Sequence, residues 1–167
     1  MIPQGKNQFK DVDRAIRVYA QKIEATSQIK VIQNDLTYSS FFQNKMLIIH
    51  SIRRGLPYQL FNFIKTLTPF TEEDWASYLN LSVKSLQRYK KEKEYLFKPI
   101  HTEKIIELAE VTNFGNQVFD SNDQFYTWLN TPSYALGSLK PAELLNDSYG
   151  KELVMAELNR IEQGIFI

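Results

Sequence analysis

Apolar positions recur at helical spacing along most of the chain, and nowhere do they alternate for long enough to predict a confident strand. Between Phe9 and about Thr26, Val12, Ile16, Tyr19 and Ile23 share one face, with Lys, Arg and Asp between them. That spacing predicts an amphipathic helix. The stretch Ile29 to Tyr38, containing "IKVIQND", reads equally as a short strand or a loop. Ser40 suits the N-cap of a helix through "FFQNKMLIIHSIRR", and Gly55 suits the left-handed residue that ends it. Pro57 then falls in the first turn of a helix over "PYQLFNFIKTL".

Next comes "FTEEDWASYLNLSVKSLQRYKKEKEYL". Thr71 is an N-cap candidate, and Glu72, Glu73 and Asp74 fill the first turn, where the helix dipole favours negative charge. Trp75, Ala76 and Leu79 share a face, Asn80 and Leu81 form a tight break, and Ser82 caps a second short helix buried through Leu86 and Tyr89. Two helices joined by so short a turn have the spacing of a helix-turn-helix. A further helix covers "PIHTEKIIELAEV", with Thr102 as its N-cap. Beyond it, Ser121 to Asp123 cap a short helix ending before Thr131-Pro132, Pro141 opens "PAELL", and a last helix runs from about Ser148 to Gln163 with Gly164 at its C′ position. Val154, Leu158 and Ile161 lie on one face of it, and Trp128, Leu136 and Leu145 are expected in the core. The sum is eight or nine helices and an all-α fold.

Composition narrows the chemistry. The chain has 167 residues, enough for one ordinary domain or two small ones. No long apolar run predicts a membrane span, and the N-terminus has no apolar signal core, so a cytoplasmic protein is expected. The lack of cysteine excludes disulfides and thiolate metal sites, and His50 and His101 are too few for a multi-histidine site. His50 lies in the apolar run "LIIHSI", and His101 precedes a helix N-cap. With no phosphate loop and no activated nucleophile, no catalytic residue, metal or cofactor is expected, and the chain does not read as an enzyme.

Charge is uneven although the net value is +1. Residues 1–70 carry ten Lys/Arg against four Asp/Glu, residues 71–118 seven against eight, and residues 119–167 three against seven. A basic front and an acidic back suggest different partners. Residues 82–93 concentrate five basic groups against one acid. With Leu86 and Tyr89 inward, Val83, Lys84, Ser85, Gln87 and Arg88 face out. Arg suits guanine, Gln suits adenine, and Ser and Lys suit phosphate or base edges. Lys84, Ser85, Gln87, Arg88 and Lys91 are therefore the candidate DNA contacts, although a solvated surface helix carries similar charges. Asn80 stands where such turns usually hold glycine, and asparagine tolerates positive φ better than most residues.

The last segment resembles the toxin-binding domain of the Xre/MbcA/ParS antitoxin family. The matching residues are Trp128-Leu129, Pro132, Ala135-Leu136-Gly137, Lys140-Pro141 with Glu143-Leu144-Leu145, Gly150, Leu158, Arg160-Ile161-Glu162 and Gly164-Ile165. Gly137-Ser138 stands where the family shows a glycine pair, and Ser133-Tyr134 also departs from the family pattern. "RRGLP" at Arg53 to Pro57 looks like the family too, whereas residues 1–40 match nothing familiar. The resemblance implies three parts: an N-terminal helical extension over 1–45, an Xre-like helix-turn-helix domain over 46–118, and a small helical toxin-binding domain over 119–167. It also implies a type II antitoxin that covers the active site of a RES-domain, NAD-consuming toxin, commonly dimerises, and often represses its own operon.

The candidate toxin contacts are Arg160, Gly164, Ile165, Phe166 and Ile167. Arg160 suits a clamp on a carboxylate or phosphate, or equally an ion pair with Glu157 or Glu162. The apolar tail either folds back or enters a partner's pocket. The segment's acidity would complement a basic dinucleotide cleft. Two other readings stay open: a toxin-sequestering module that does not bind DNA, and a stand-alone helix-turn-helix regulator. The basic first helix (Lys10, Arg14, Arg17, Lys22) suits packing, dimerisation or extra phosphate contacts.

Overall fold

The computed structural model describes residues 4–30 and 35–165, with side chains from residue 8 onward. Among them the chain is all-α, and its only ladder pairing consists of two isolated bridges. Two compact units form, Met1–Leu67 with Lys84–Ile106, and Thr68–Val83 with Glu107–Ile167. Each is therefore discontinuous in sequence.

The first unit opens with α1 (Gln4–Ser27). Its predicted face is its buried face: Val12, Ile16, Tyr19, Ala20 and Ile23 are almost fully covered. The single helix expected from Ser40 is instead two. Thr37 caps a one-turn α2 (Tyr38–Phe41) through a capping box with Ser40, which sits inside the helix rather than at its start. Asn44 caps α3 (Lys45–Arg54), its side chain accepting from the Leu47 N–H at 3.0 Å. Each cap is a short polar side chain satisfying an N–H that the first turn leaves open. Part of the ambiguous stretch, residues 31–34, lies outside the described residues, and its end enters α2.

Gly55 ends α3 at φ +93 and ψ 146, which is not the left-handed helical conformation expected but one that is nearly glycine-specific. A Cβ there would also meet the Phe97 carbonyl oxygen at 2.5 Å. The close approach lets two segments clasp. Tyr58 N–H donates to Tyr95 O at 3.0 Å and Phe97 N–H to Leu56 O at 2.9 Å. Pro57 is thus the N-cap of α4 (Tyr58–Thr66) and not its first helical residue. Thr102, expected as an N-cap, does not cap a helix. It lies fully buried within α7 (Pro99–Val118), where its hydroxyl accepts from Leu56 N–H at 3.0 Å and donates to Phe97 O at 3.2 Å. Leu47, Leu56, Phe61, Leu86, Phe97 and Ile105 fill this unit's core.

The second unit gathers α5 (Glu72–Tyr78), the later part of α7, α8 (Asn122–Leu129), a 3-10 turn (Tyr134–Leu136), α9 (Pro141–Leu144) and α10 (Ser148–Glu162). Trp75, Phe125, Leu129, Val154 and Leu158 are fully buried in it, and Leu136 and Leu145 join them. Trp128 is only half-buried and packs by its ring against Phe119 and Phe125. Pro141 starts α9 at its first turn, as its fixed φ suits. Gly150 is required for packing, because a Cβ there would overlap the Leu144 carbonyl.

Candidate functional site

The turn ahead of the basic helix is built from backbone hydrogen bonds. Thr71 and Asp74 form a reciprocal capping box at the start of α5, with Asp74 N–H donating to Thr71 Oγ1 at 3.1 Å and Thr71 N–H to Asp74 Oδ2 at 2.9 Å. At the other end Asn80 adopts φ +54. The Leu81 N–H donates to Ala76 O at 2.9 Å, and the Asn80 N–H to Ser77 O at 3.1 Å. This pair of bonds is a Schellman stop with asparagine in the glycine position.

The next helix, α6 (Val83–Lys91), presents its side chains largely as its spacing predicts. Leu86 is fully buried. Lys84, Gln87, Arg88 and Lys91 are exposed, while Val83 and Ser85 are half-buried. Tyr89 is half-covered and stacks on Tyr95 at 4.0 Å and 9°. Burial, together with a hydrogen bond to Tyr89, raises the pKa of the Tyr95 hydroxyl. The Arg88 guanidinium lies over the Tyr89 ring at 5.3 Å, and its Nε is 3.9 Å from Glu92 Oε1. These contacts are exposed and weak, so they orient the arginine without retiring its donors. Lys84, Arg88 and Lys91 recur at i, i+4 and i+7, which aligns three cations along one stripe of the helix.

The C-terminal helix has two faces. Gly150, Val154 and Leu158 point into the core, while Tyr149 is 82% exposed and Leu153 55% exposed. The exposed pair escaped the sequence reading, although its i, i+4 spacing, out of phase with the core positions, was visible. Near its end, Arg160 Nη1 donates to Glu157 Oε2 at 3.1 Å, so one of the two uses expected for Arg160 is realised within the chain. Gly164 at φ +71 closes the helix: its N–H donates to Ile161 O at 3.0 Å and the Ile165 N–H to Arg160 O at 2.9 Å. This is a second Schellman stop, and it leaves Ile165 half-exposed. Phe166 and Ile167 lie outside the described residues.

The loop before α9 is tight as well. Gly137 and Ser138 both take positive φ, +69 and +63. Ser133 and Leu139 pair across the loop, Ser133 N–H donating to Leu139 O at 3.0 Å, and Tyr134 at its tip is 89% exposed. Among the described residues no group of His, Asp or Glu is arranged to hold a metal ion, and no helix is long and apolar enough to cross a membrane.

Comparison with known families assigns both regions. Residues 48–110 match the antitoxin Xre-like helix-turn-helix domain. Residues 115–164 match the antitoxin Xre/MbcA/ParS C-terminal toxin-binding domain. Neither is an enzyme family. Residues 1–47 lie outside both matches. No curated protein matches the chain significantly. Carrying an Xre-like helix-turn-helix followed by this toxin-binding domain, the chain belongs to the Xre/MbcA/ParS antitoxin family.

Proposed function

We propose that this antitoxin neutralises a RES-domain, NAD-consuming toxin by covering the toxin's active site with its C-terminal region, and that it binds operator DNA as an autorepressor. The observation that carries the toxin arm is the end of α10. A Schellman stop turns the chain out of the helix there, leaving Ile165 half-exposed directly after Arg160 and Gly164. Apolar side chains held at a helix end make good anchors in a partner's pocket. The acidic balance of residues 119–167 suits a cleft built for a dinucleotide phosphate. The choice of a RES-domain partner rests on the family resemblance. Arg160, Gly164, Ile165, Phe166 and Ile167 are the proposed toxin contacts.

Support for the DNA arm comes from α6, where Lys84, Gln87, Arg88 and Lys91 are exposed and Ser85 is half-exposed. We assign residues 1–45 as an extension, 46–118 as the DNA-binding part and 119–167 as the toxin-binding part of a cytoplasmic, non-enzymatic homodimer. Co-expression with the product of the adjacent gene tests the toxin arm, using the full chain and one ending at Gln163. Growth rescue and co-purification by the full chain alone are expected. Equal rescue by the shortened chain would remove the tail from the mechanism, and a harmless neighbour would remove the toxin reading.

A further inference from the structure

The first helix lies outside both family matches, yet it helps to build a basic cleft in the first unit. A cleft of about 750 Å³ opens between the end of α1, the end of α3 and the loop that follows α6. Tyr19, Pro57 and Tyr58 line it, and the last of these joins the clasp between residues 55–58 and 95–97. Tyr19 is fixed by its hydroxyl, which donates to Gly55 O at 2.8 Å. Lys22 and Arg54 come from α1 and α3, and Lys90, Lys91 and Lys93 come from α6 and its loop. Only two carboxylates, Glu92 and Glu94, line the cleft with these five cations, and Glu92 leans toward Arg88.

Lys91 belongs to two surfaces at once: it ends the stripe Lys84, Arg88, Lys91 on α6, and it lines the cleft. We propose that this cleft takes the phosphate backbone of the DNA duplex whose groove α6 enters, so that Lys22 of the N-terminal extension and Lys93 of the loop are DNA contacts. The proposal rests on the DNA-binding reading above. Continuity with the α6 stripe favours a polymer backbone over an isolated anion.

The test measures binding of the full chain to two duplexes over a series of salt concentrations. One duplex comes from the region upstream of its own coding sequence, and the other is scrambled. Each lost phosphate contact should reduce the log–log salt slope by about 0.9. Lys22→Ala with Lys93→Ala should therefore flatten the slope by about 2 and weaken binding about tenfold near ~0.15 M salt, equally for both duplexes. Lys22→Arg with Lys93→Arg should restore it. Arg88→Ala serves as the comparator and should weaken the upstream duplex more than the scrambled one. If Arg88→Ala weakens binding and the alanine pair changes neither slope nor affinity, the cleft is not part of the interface and the proposal is wrong. If both duplexes bind equally and the alanine pair still flattens the slope, the cleft stands and the operator reading falls. If the unaltered chain binds neither duplex, both fall.

Discussion

Ser138 pays a conformational cost that its neighbour does not. At φ +63 a residue with a Cβ is disfavoured by about 1–2 kcal/mol, whereas glycine at Gly137 takes φ +69 freely. Replacing Ser138 with Gly should raise stability by about 0.5–1 kcal/mol, after the added freedom of the unfolded chain is subtracted. A higher denaturant midpoint with an unchanged m-value would confirm it. Gly150→Ala should do the opposite and cost several kcal/mol, because the new methyl overlaps the Leu144 carbonyl and α9 must move. Tyr19 gives a pH signature. Burial pushes its hydroxyl up to about 12, against the opposing effects of its hydrogen bond at Ser51 and the Arg54 charge. Because the unfolded chain ionises first, this group leaves stability unchanged below pH 10 and lowers it by up to about 3 kcal/mol as the pH rises toward 12. Tyr19→Phe should be less stable at neutral pH by about 1–2 kcal/mol, and its unfolding free energy should fall less steeply over that alkaline range than that of the unaltered chain. The positive φ of Asn80 was legible from its place between two apolar runs. That of Ser138 was legible only through the glycine that the resembled family carries at its place, because serine itself has no such preference.

Elements were legible where a cap and an apolar face agreed. Thr71 with Asp74, Ser121, Pro141 and Gly164 all mark helix ends where the pattern puts them. Thr71→Ala should cost about 1 kcal/mol, read as a fall in the thermal midpoint, because one first-turn N–H loses its acceptor. The misread helix starts at Ser40 and Thr102 share a cause: a polar residue near an apolar run reads as a cap in the wrong register. Ser40 reaches back to Thr37 from inside α2, so the break that follows, at Gln43 and Asn44, went unseen. Thr102 is polar because its hydroxyl serves the Leu56 N–H of a distant segment as well as the nearby Phe97 carbonyl, and nothing local records the distant partner. α7 also runs on through Gly115, whose missing side chain admits the Phe125 ring rather than ending the helix. In α6, Leu86→Ala should cost about 2–5 kcal/mol of unfolding free energy, unlike the exposed Arg88→Ala.

For the whole molecule, the local pattern was enough to read an all-α chain with a helix-turn-helix followed by a second helical segment. It holds no signal for which distant helices share a core. Phe70, Trp75, Leu108 and Val111 belong to the same compact unit as Phe125 and Leu158. A fragment of residues 119–167 lacks those four side chains and should remain largely unfolded by circular dichroism, whereas residues 68–167 retain that unit's whole core. The candidate surfaces were legible where charge and spacing coincide, as on α6, and not where tertiary structure assembles them, as in the basic cleft. The chain passes from one unit to the other after α4, within α6 and within α7. Two of these crossings are continuous helix. A processive protease pulling from the C-terminal end would draw out α10 to α8, then unwind α7 across a crossing and strip the first unit of Phe97 and Ile105. Degradation, once begun, should therefore run to completion, leaving no trimmed chain that keeps the first unit without the second.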